Sequence, residues 1–191
     1  MTGLLFIRHA QTDIAGTFCG HSDPPINALG QQQITQMIST LTSESIDEIY
    51  CSDLRRAIET ATPLAQTFGC QLTIAGSLRE IHFGDWEGLT WTEIEGRDPG
   101  YALRWIEAFP ALPAPNGESF IAFKERVLRQ IDRLLPFAET KRIAVVTHGG
   151  VMRLVLRNLL GYNDQQAWEA TKLYCSSFHC SGVLASTRPP Q

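Results

Sequence analysis

Three short apolar runs in this chain end abruptly in polar residues that can do chemistry, and this pattern constrains the fold more than any other feature. The runs and the residues that follow them are Leu4–Ile7 with Arg8-His9, Glu48–Cys51 with Ser52-Asp53, and Arg142–Val146 with Thr147-His148. Apolar runs of this length are typical of buried strands. Because the carboxyl ends of parallel strands lie at one edge of a sheet, we expect the polar residues to meet there.

The segments between the runs have the periodicity of amphipathic helices, so strands and helices alternate along the chain. Helices are predicted from an Asn27 cap to about Leu41, from a Ser52 or Asp53 cap to Gly69, and over Ser119–Leu135 and Val151–Leu160. Further strands are predicted at Gln71–Ala75 and, at an edge of the sheet, within Leu173–Ala185. This alternation predicts an α/β fold, a three-layer α/β/α sandwich with a mainly parallel central sheet. The length predicts a single domain over residues 1–191.

Composition narrows the classes of partner. The 16 Lys and Arg residues against 20 Asp and Glu give a formal net charge of −4, and without a basic run this argues against nucleic acid as a partner. No apolar run is long enough to span a membrane. The five cysteines are odd in number and irregularly spaced, which favours reduced thiols. We therefore expect a cytoplasmic protein that contacts neither nucleic acid nor membrane.

The predicted sheet edge collects cations in an otherwise acidic protein. Arg8-His9 and His148 follow two of the strands, and Arg56 lies one turn into the helix after a third. Gly149-Gly150 then starts a helix, whose N-terminal N–H groups attract anions. Guanidinium groups match phosphate oxygens bidentately, so the predicted ligand is a phosphate group.

Hydrolysis of a phosphate ester at such a site needs a nucleophile and an acid. A neutral imidazole can attack phosphorus, and the neighbouring cations disfavour protonation of His9. A carboxyl group can protonate the leaving alkoxide and then activate water. Glu80, Asp85 and Glu87 lie in one suitable segment, and their spacing alone does not choose among them.

Four segments, in this order, resemble the motifs of the histidine phosphatase superfamily, which includes the cofactor-dependent phosphoglycerate mutases. They are Leu4–Thr12, Cys51–Thr60, Leu78–Gly88 and Val145–Gly150. The resemblance implies a phosphoglycerate mutase-like fold and a metal-independent histidine acid-type phosphatase with no cofactor. Such an enzyme hydrolyses phosphate monoesters through a phosphohistidine.

The resemblance also implies roles for single residues. His9 is the nucleophile, Glu80 is the proton donor, and Arg8, Arg56 and His148 hold the phosphoryl group. Arg55 is then a solvated helix residue. The implied substrate-binding residues are Arg8, Gln11, Thr12, Cys19, Gly20, Arg56 and Gly149.

Two positions depart from the family pattern. Ala10 replaces the glycine after the histidine, which adds one methyl group and is expected to leave the chemistry intact. The family commonly has an asparagine three residues after Thr12, where this chain reads Asp13-Ile14-Ala15 in a shorter loop. Thr12, Gln11 or a backbone N–H group would have to replace its contact with phosphate.

Further segments are similar to those of the α-ribazole phosphatases of cobalamin synthesis, which makes α-ribazole 5′-phosphate one expected substrate. They are Gly20–Pro25, Phe83–Glu87 and Pro115–Glu118. One alternative is phosphoryl transfer of the phosphoglycerate mutase type, which the compact Gly88–Glu118 segment disfavours. Another is a non-catalytic phosphate-sensing or phosphate-binding protein on the same scaffold.

Other phosphatase chemistries lack their motifs. A cysteine phosphatase needs an arginine six residues after its nucleophile, where Cys51 has Ala57. There is no Asp-x-Asp, no Gly-Lys pair, and no His-x-His or His-x-x-x-His for a metal. The remaining histidines, His21, His82 and His179, are predicted to be structural or solvated. Three of the tryptophans, Trp86, Trp91 and Trp105, are predicted to pack in the core or at the rim of the site. The apolar Leu173–Ala185 edge could pair two subunits as a homodimer.

Overall fold

A computed structural model describes residues 2–180. In it, the protein forms a five-stranded sheet with helices on both faces. The strands are β1 (Gly3–Arg8), β2 (Glu48–Cys51), β3 (Gln71–Ile74), β4 (Arg142–Thr147) and β5 (Ser177–Cys180). The helices are α1 (Ala28–Leu41), α2 (Arg55–Phe68), α3 (Trp91–Arg97), α4 (Pro99–Ala108), α5 (Phe120–Ala138), α6 (Gly149–Leu159) and α7 (Asp164–Thr171). The strand order is β3-β2-β4-β1-β5, and only β5 pairs antiparallel. The predicted mainly parallel α/β sheet is confirmed.

The two faces of the sheet carry separate halves of the core. In β1, Leu4 and Phe6 join a cluster with α5 and α6, whereas Leu5 and Ile7 join one with α1 and α2. This division follows from the two-residue period of a strand, which sends alternate side chains to opposite faces. The central strands β1 and β4 are buried on both faces, as the middle of a sheet between two helical layers requires, whereas the edge strands β3 and β5 are partly exposed.

The N-terminus of α2 differs from the predicted one. Leu54 occupies the N-cap position of α2, where no side chain accepts a hydrogen bond from the first turn of the helix. Ser52 instead accepts a hydrogen bond from the Leu54 N–H at 3.3 Å, and the Asp53 carboxylate pairs with Arg79 at 2.7 Å. Neither side chain is therefore left to cap the helix. At α1 the prediction is confirmed, because the Asn27 side chain accepts from the Gly30 N–H at 2.9 Å.

The C-terminal part of the described chain adds a helix that was not predicted. Asn163 and Gln166 form a reciprocal capping box at the start of α7. This capping box is a local helix signal, but the segment lacks the apolar periodicity from which the other helices are predicted. Within the predicted Leu173–Ala185 edge, only Ser177–Cys180 forms a strand, and residues 181–185 lie outside the described residues. Homodimer formation through this edge stays a prediction.

The segment between β3 and α5 folds beside the carboxyl edge of the sheet around an aromatic cluster. Trp86, Trp91 and Trp105 pack with one another and with Phe18, as predicted for packing residues. The chain turns at Gly84, which has φ +53°, and a Cβ there would lie 2.1 Å from the Pro115 carbonyl oxygen. None of the helices in residues 2–180 is long and apolar enough to cross a membrane.

Candidate active site

The register of the sheet brings the two predicted site histidines together. Arg8 of β1 lies opposite Thr147 of β4, so His9 and His148 follow side by side at the carboxyl edge. Their ring centroids are 5.0 Å apart. Both are buried, with 7% of His9 and 0% of His148 exposed.

His9 is held as a neutral imidazole with one free ring nitrogen. Its Nδ1 lies 2.7 Å from the Ala10 carbonyl oxygen, which can only accept, so Nδ1 carries the proton and Nε2 keeps its lone pair. Burial, Arg56 and Arg8 hold the pKa of His9 well below its ordinary value, against the opposing effect of the Ala10 hydrogen bond. Burial and Arg56 lower the pKa of His148 in the same way.

Carbonyl oxygens of one loop fix the fully buried Arg56. Its guanidinium donates to Ser22 at 2.6 Å, Gly20 at 2.7 Å and Cys19 at 3.3 Å. The predicted site residues Cys19 and Gly20 therefore contact Arg56 through their backbone. Arg55, by contrast, points outward to an ion pair with Glu59.

Arg8 is fixed in the same manner from the other side. It donates to the carbonyl oxygens of Thr171 at 2.9 Å and Lys172 at 2.6 Å and lies over the Tyr174 ring, 4.2 Å from its centroid. Carbonyls thus occupy Nη1 of Arg8 and both outer nitrogens of Arg56. Buried donors and acceptors are normally paired, yet four buried nitrogens here have no partner within residues 2–180: Arg8 Nε, Arg56 Nε, His148 Nδ1 and His148 Nε2.

A single carboxylate organises the loop that holds Arg56. Glu87 accepts hydrogen bonds from the backbone N–H groups of Gly20, His21, Ser22 and Phe83 and from the Ser22 hydroxyl, at 2.7–3.0 Å. Burial raises the pKa of Glu87, but these hydrogen bonds outweigh it and hold the pKa below its ordinary value. The Glu87 carboxylate therefore stabilises the conformation of this loop.

The structure gives different surroundings to the three carboxyl groups among which spacing along the chain does not choose. Glu80 is 8% exposed; its Oε2 accepts from the Gly150 N–H at 2.7 Å and its Oε1 from the Ile81 N–H at 3.0 Å. Asp85 is exposed and bonded to Asn116. Of the three, Glu80 alone reaches the N-terminus of α6, next to His148.

The remaining predicted site residues lie around this centre. Gly149 is the first residue of α6. The Gln11 N–H already donates to Gln33 at 3.0 Å, and Thr12 is buried in a bridge with Ile26. The methyl group of Ala10 packs into a small buried cluster, and the Ala10 N–H donates to the Thr60 hydroxyl at 3.0 Å. The extra methyl group is thus accommodated.

An apolar cavity of about 660 Å³ opens beside Glu80. Part of its wall is aromatic, formed by Phe18, Phe83, Trp105, Phe109, Phe120, Phe123 and Trp168. Glu80, Gly150 and Arg153 form part of its lining, whereas His9, Arg8, Arg56 and His148 do not.

Arg153 is the site residue that sequence reasoning missed. It comes four residues after Gly149, one helical turn on, and interrupts the apolar stretch from Val151 to Leu156. The sequence signal for Arg153 is a cation within the apolar stretch of the helix that begins at Gly149. Among residues 2–180, no group of three side chains is arranged to hold a metal ion.

A parallel α/β sheet with two arginines and two histidines at its carboxyl edge is the arrangement that the sequence motifs predict. The chain belongs to the histidine phosphatase superfamily, whose branch 1 model matches residues 4–181. The predicted enzyme class, a phosphoric monoester hydrolase, is thereby confirmed.

Among its relatives are two named adenosylcobalamin/α-ribazole phosphatases. The one from Escherichia coli is 34% identical over 86% of this chain and 82% of its own, and that from Salmonella typhimurium is 30% identical over 96% of each. The α-ribazole phosphatase of Shigella flexneri superposes with a TM-score of 0.78 at 32% identity, over 87% of this chain and 83% of that one. A mycobacterial glucosyl-3-phosphoglycerate phosphatase gives 0.75 at 28% identity, over 88% and 84%.

Proposed function

We propose that this phosphatase acts through a phosphohistidine formed on Nε2 of His9. The observation that carries the proposal is that four buried nitrogens of Arg8, Arg56 and His148, near a neutral imidazole, have no hydrogen-bonding partner among residues 2–180. An anion rich in acceptors satisfies the N–H donors among these nitrogens, and a phosphoryl group offers three equatorial oxygens. The helix N-terminus at Gly149 adds a favourable field for negative charge.

The first step transfers the phosphoryl group to the enzyme. The Nε2 lone pair of His9 forms a bond to phosphorus as the bond to the ester oxygen breaks. Glu80 gives its proton to that oxygen, so the product leaves as an alcohol. Arg8, Arg56 and His148 stabilise the charge on the equatorial oxygens in the transition state.

The second step regenerates the enzyme. Glu80, now a carboxylate, accepts a proton from water as the water oxygen attacks phosphorus. The bond between phosphorus and His9 Nε2 breaks, and its electron pair returns to the ring. Inorganic phosphate leaves, His9 is again neutral, and Glu80 is again protonated.

The cavity beside Glu80 supports an ester whose alcohol half carries a flat aromatic group. Phenylalanine and tryptophan side chains form part of its wall, and aromatic rings pack favourably against one another. The relatives named α-ribazole phosphatases point to the same class, because α-ribazole carries an aromatic base on a ribose. We propose α-ribazole 5′-phosphate as the substrate rather than a glycerate ester.

A metal-free assay tests the chemistry. With an aryl phosphate in chelator we expect phosphate release, and we expect His9→Ala to abolish it while leaving the thermal unfolding temperature unchanged. Substantial turnover by that variant would overturn the mechanism.

A panel of α-ribazole phosphate, 3-phosphoglycerate and phosphoserine tests which ester is the substrate. Phosphoryl transfer to an acceptor rather than water would indicate a mutase, and phosphate binding without turnover would indicate a sensor.

A further inference from the structure

Arg153 is a cation in the cavity wall that has no hydrogen-bonding partner in the part of the chain that the structure describes. No acceptor within residues 2–180 hydrogen bonds to its guanidinium, and none forms an ion pair with it. The neighbouring Arg157, one turn further along α6, pairs with Asp164 at 2.8 Å. Because an arginine has five N–H donors, Arg153 has unused donor capacity at the cavity.

The guanidinium packs against Trp168 and close to the backbone of Gly149. It lies over the Trp168 ring, 5.2 Å from the centroid, an arrangement that attracts a cation to an aromatic face. Its Nη1 also lies 3.0 Å from the position that a Cβ on Gly149 would take. A guanidinium packed in this way loses little side-chain entropy when it binds an acceptor.

Its position is on the leaving-group side of the site. Arg153 shares the cavity wall with Glu80 and Gly150, whereas the side chains proposed to hold the phosphoryl group do not line the cavity. Glu80 is the group proposed to protonate the ester oxygen, so the atoms next to that oxygen on the alcohol half come close to Arg153. Burial lowers the pKa of Arg153, which Glu80 partly opposes. A partly desolvated cation gains from an added acceptor.

We propose that Arg153 is a specificity-determining residue, which donates hydrogen bonds to a hydroxyl or ring oxygen of the alcohol half close to the ester. The inference rests on the proposed phosphatase function and specifies which alcohols it favours. The preferred esters carry both an aromatic group for the cavity and an oxygen acceptor within reach of Arg153, as a ribose does.

Two esters of primary alcohols separate this role from phosphoryl binding. α-Ribazole 5′-phosphate carries ribose acceptors next to the ester, and benzyl phosphate has an aromatic ring but no acceptor beyond the ester itself. Loss of a hydrogen bond to a charged donor corresponds to about 10- to 100-fold. We expect Arg153→Met to lower kcat/KM by that factor for α-ribazole 5′-phosphate and by about twofold or less for benzyl phosphate.

Two control variants test whether the loss of activity is due to the hydrogen bonds of Arg153 rather than to the removal of any positive charge. Arg129→Met removes an exposed arginine of α5 that does not line the cavity, and it should leave both substrates unaffected. Arg153→Lys keeps a point charge without the planar fork and should fall between wild type and Arg153→Met on the riboside ester. Equal losses on both esters would place Arg153 on the phosphoryl group and overturn the proposal, as would no loss on either.

A binding measurement keeps the inference separate from the proposed function. Because Trp105 and Trp168 line the cavity, tryptophan fluorescence can follow titration with α-ribazole itself, without chemistry. Wild type should bind it about tenfold or more tightly than Arg153→Met does. Equal affinities would overturn the role of Arg153 even if the enzyme hydrolyses both esters. Absence of any turnover with intact, Arg153-dependent binding would overturn only the proposed function.

Discussion

Replacing Gly150 with alanine would separate proton donation from phosphoryl binding. A Cβ on Gly150 would lie 2.0 Å from Glu80 Oε1 and 2.8 Å from its Cδ. To reach an ordinary contact of 3.4 Å the carboxyl group must move by about 1.4 Å. Gly150 is the second residue of α6 and has no positive φ, so alanine fits the backbone. The variant should therefore fold, while Glu80 leaves its hydrogen bond to the Gly150 N–H.

The magnitude follows from how steeply proton transfer depends on position. A general acid contributes about 10²- to 10⁴-fold, and a displacement of about 1 Å costs about 10²-fold. We expect Gly150→Ala to lower kcat for an alkyl phosphate by about 10²- to 10³-fold, or about 3–4 kcal/mol in activation free energy. For p-nitrophenyl phosphate, whose leaving group needs little protonation, the loss should stay within about tenfold.

Single-turnover assays with the two esters measure this difference, and thermal unfolding checks the fold. Gly96→Ala is the matched control, because Gly96 lies in α3 and a Cβ there would meet nothing within 4 Å. It should leave both rates unchanged. Wild-type rates for Gly150→Ala on the alkyl ester, or equal losses on both esters, would refute Glu80 as the acid.

Three further expectations concern the surroundings of His9. Glu87→Gln should weaken inhibition by inorganic phosphate about tenfold or more, because it disturbs the hydrogen bonds that hold the loop around Arg56; Asp85→Asn should change it less than about twofold. The lowered pKa values of the two buried histidines mean that below about pH 6.5 the unfolded chain binds protons that the folded chain does not. Urea unfolding should therefore show the free energy of unfolding constant above that pH and falling below it, by at most about 1.4 kcal/mol per pH unit per histidine; a rise on acidification would contradict the burial argument. Burial raises the pKa of Cys19 to about 11, so iodoacetamide at pH 7 should leave activity intact, and rapid inactivation blocked by phosphate would contradict this.

The centre of the site could be predicted because it depends on strand ends. Arg8-His9 and Thr147-His148 directly follow buried apolar runs, and the register of a parallel sheet then brings His9 and His148 to one edge. This follows from local sequence and from one general property of parallel sheets. The layers of the fold follow from the same alternation of strands and helices.

The parts that could not be predicted depend on contacts between distant segments. Glu80 differs from Glu87 only because Gly150, seventy residues away, donates to it, whereas Glu87 is bound by the loop around Gly20. Likewise Arg153 joins the site because Trp168 of α7 lies against it. Spacing along the chain carries no information on such pairings.

The phosphoenzyme tests the central claim most directly. Wild-type protein mixed with a ³²P-labelled ester and quenched within one turnover in alkali should carry label that is stable to base and released by acid, as a phosphorus–nitrogen bond requires. Mass spectrometry of the peptide should locate the phosphate on His9, and a Glu80→Gln variant, slowed in hydrolysis of the intermediate, should accumulate more of it with an activated aryl phosphate. Label on another residue, or turnover without any labelled histidine, would contradict the account.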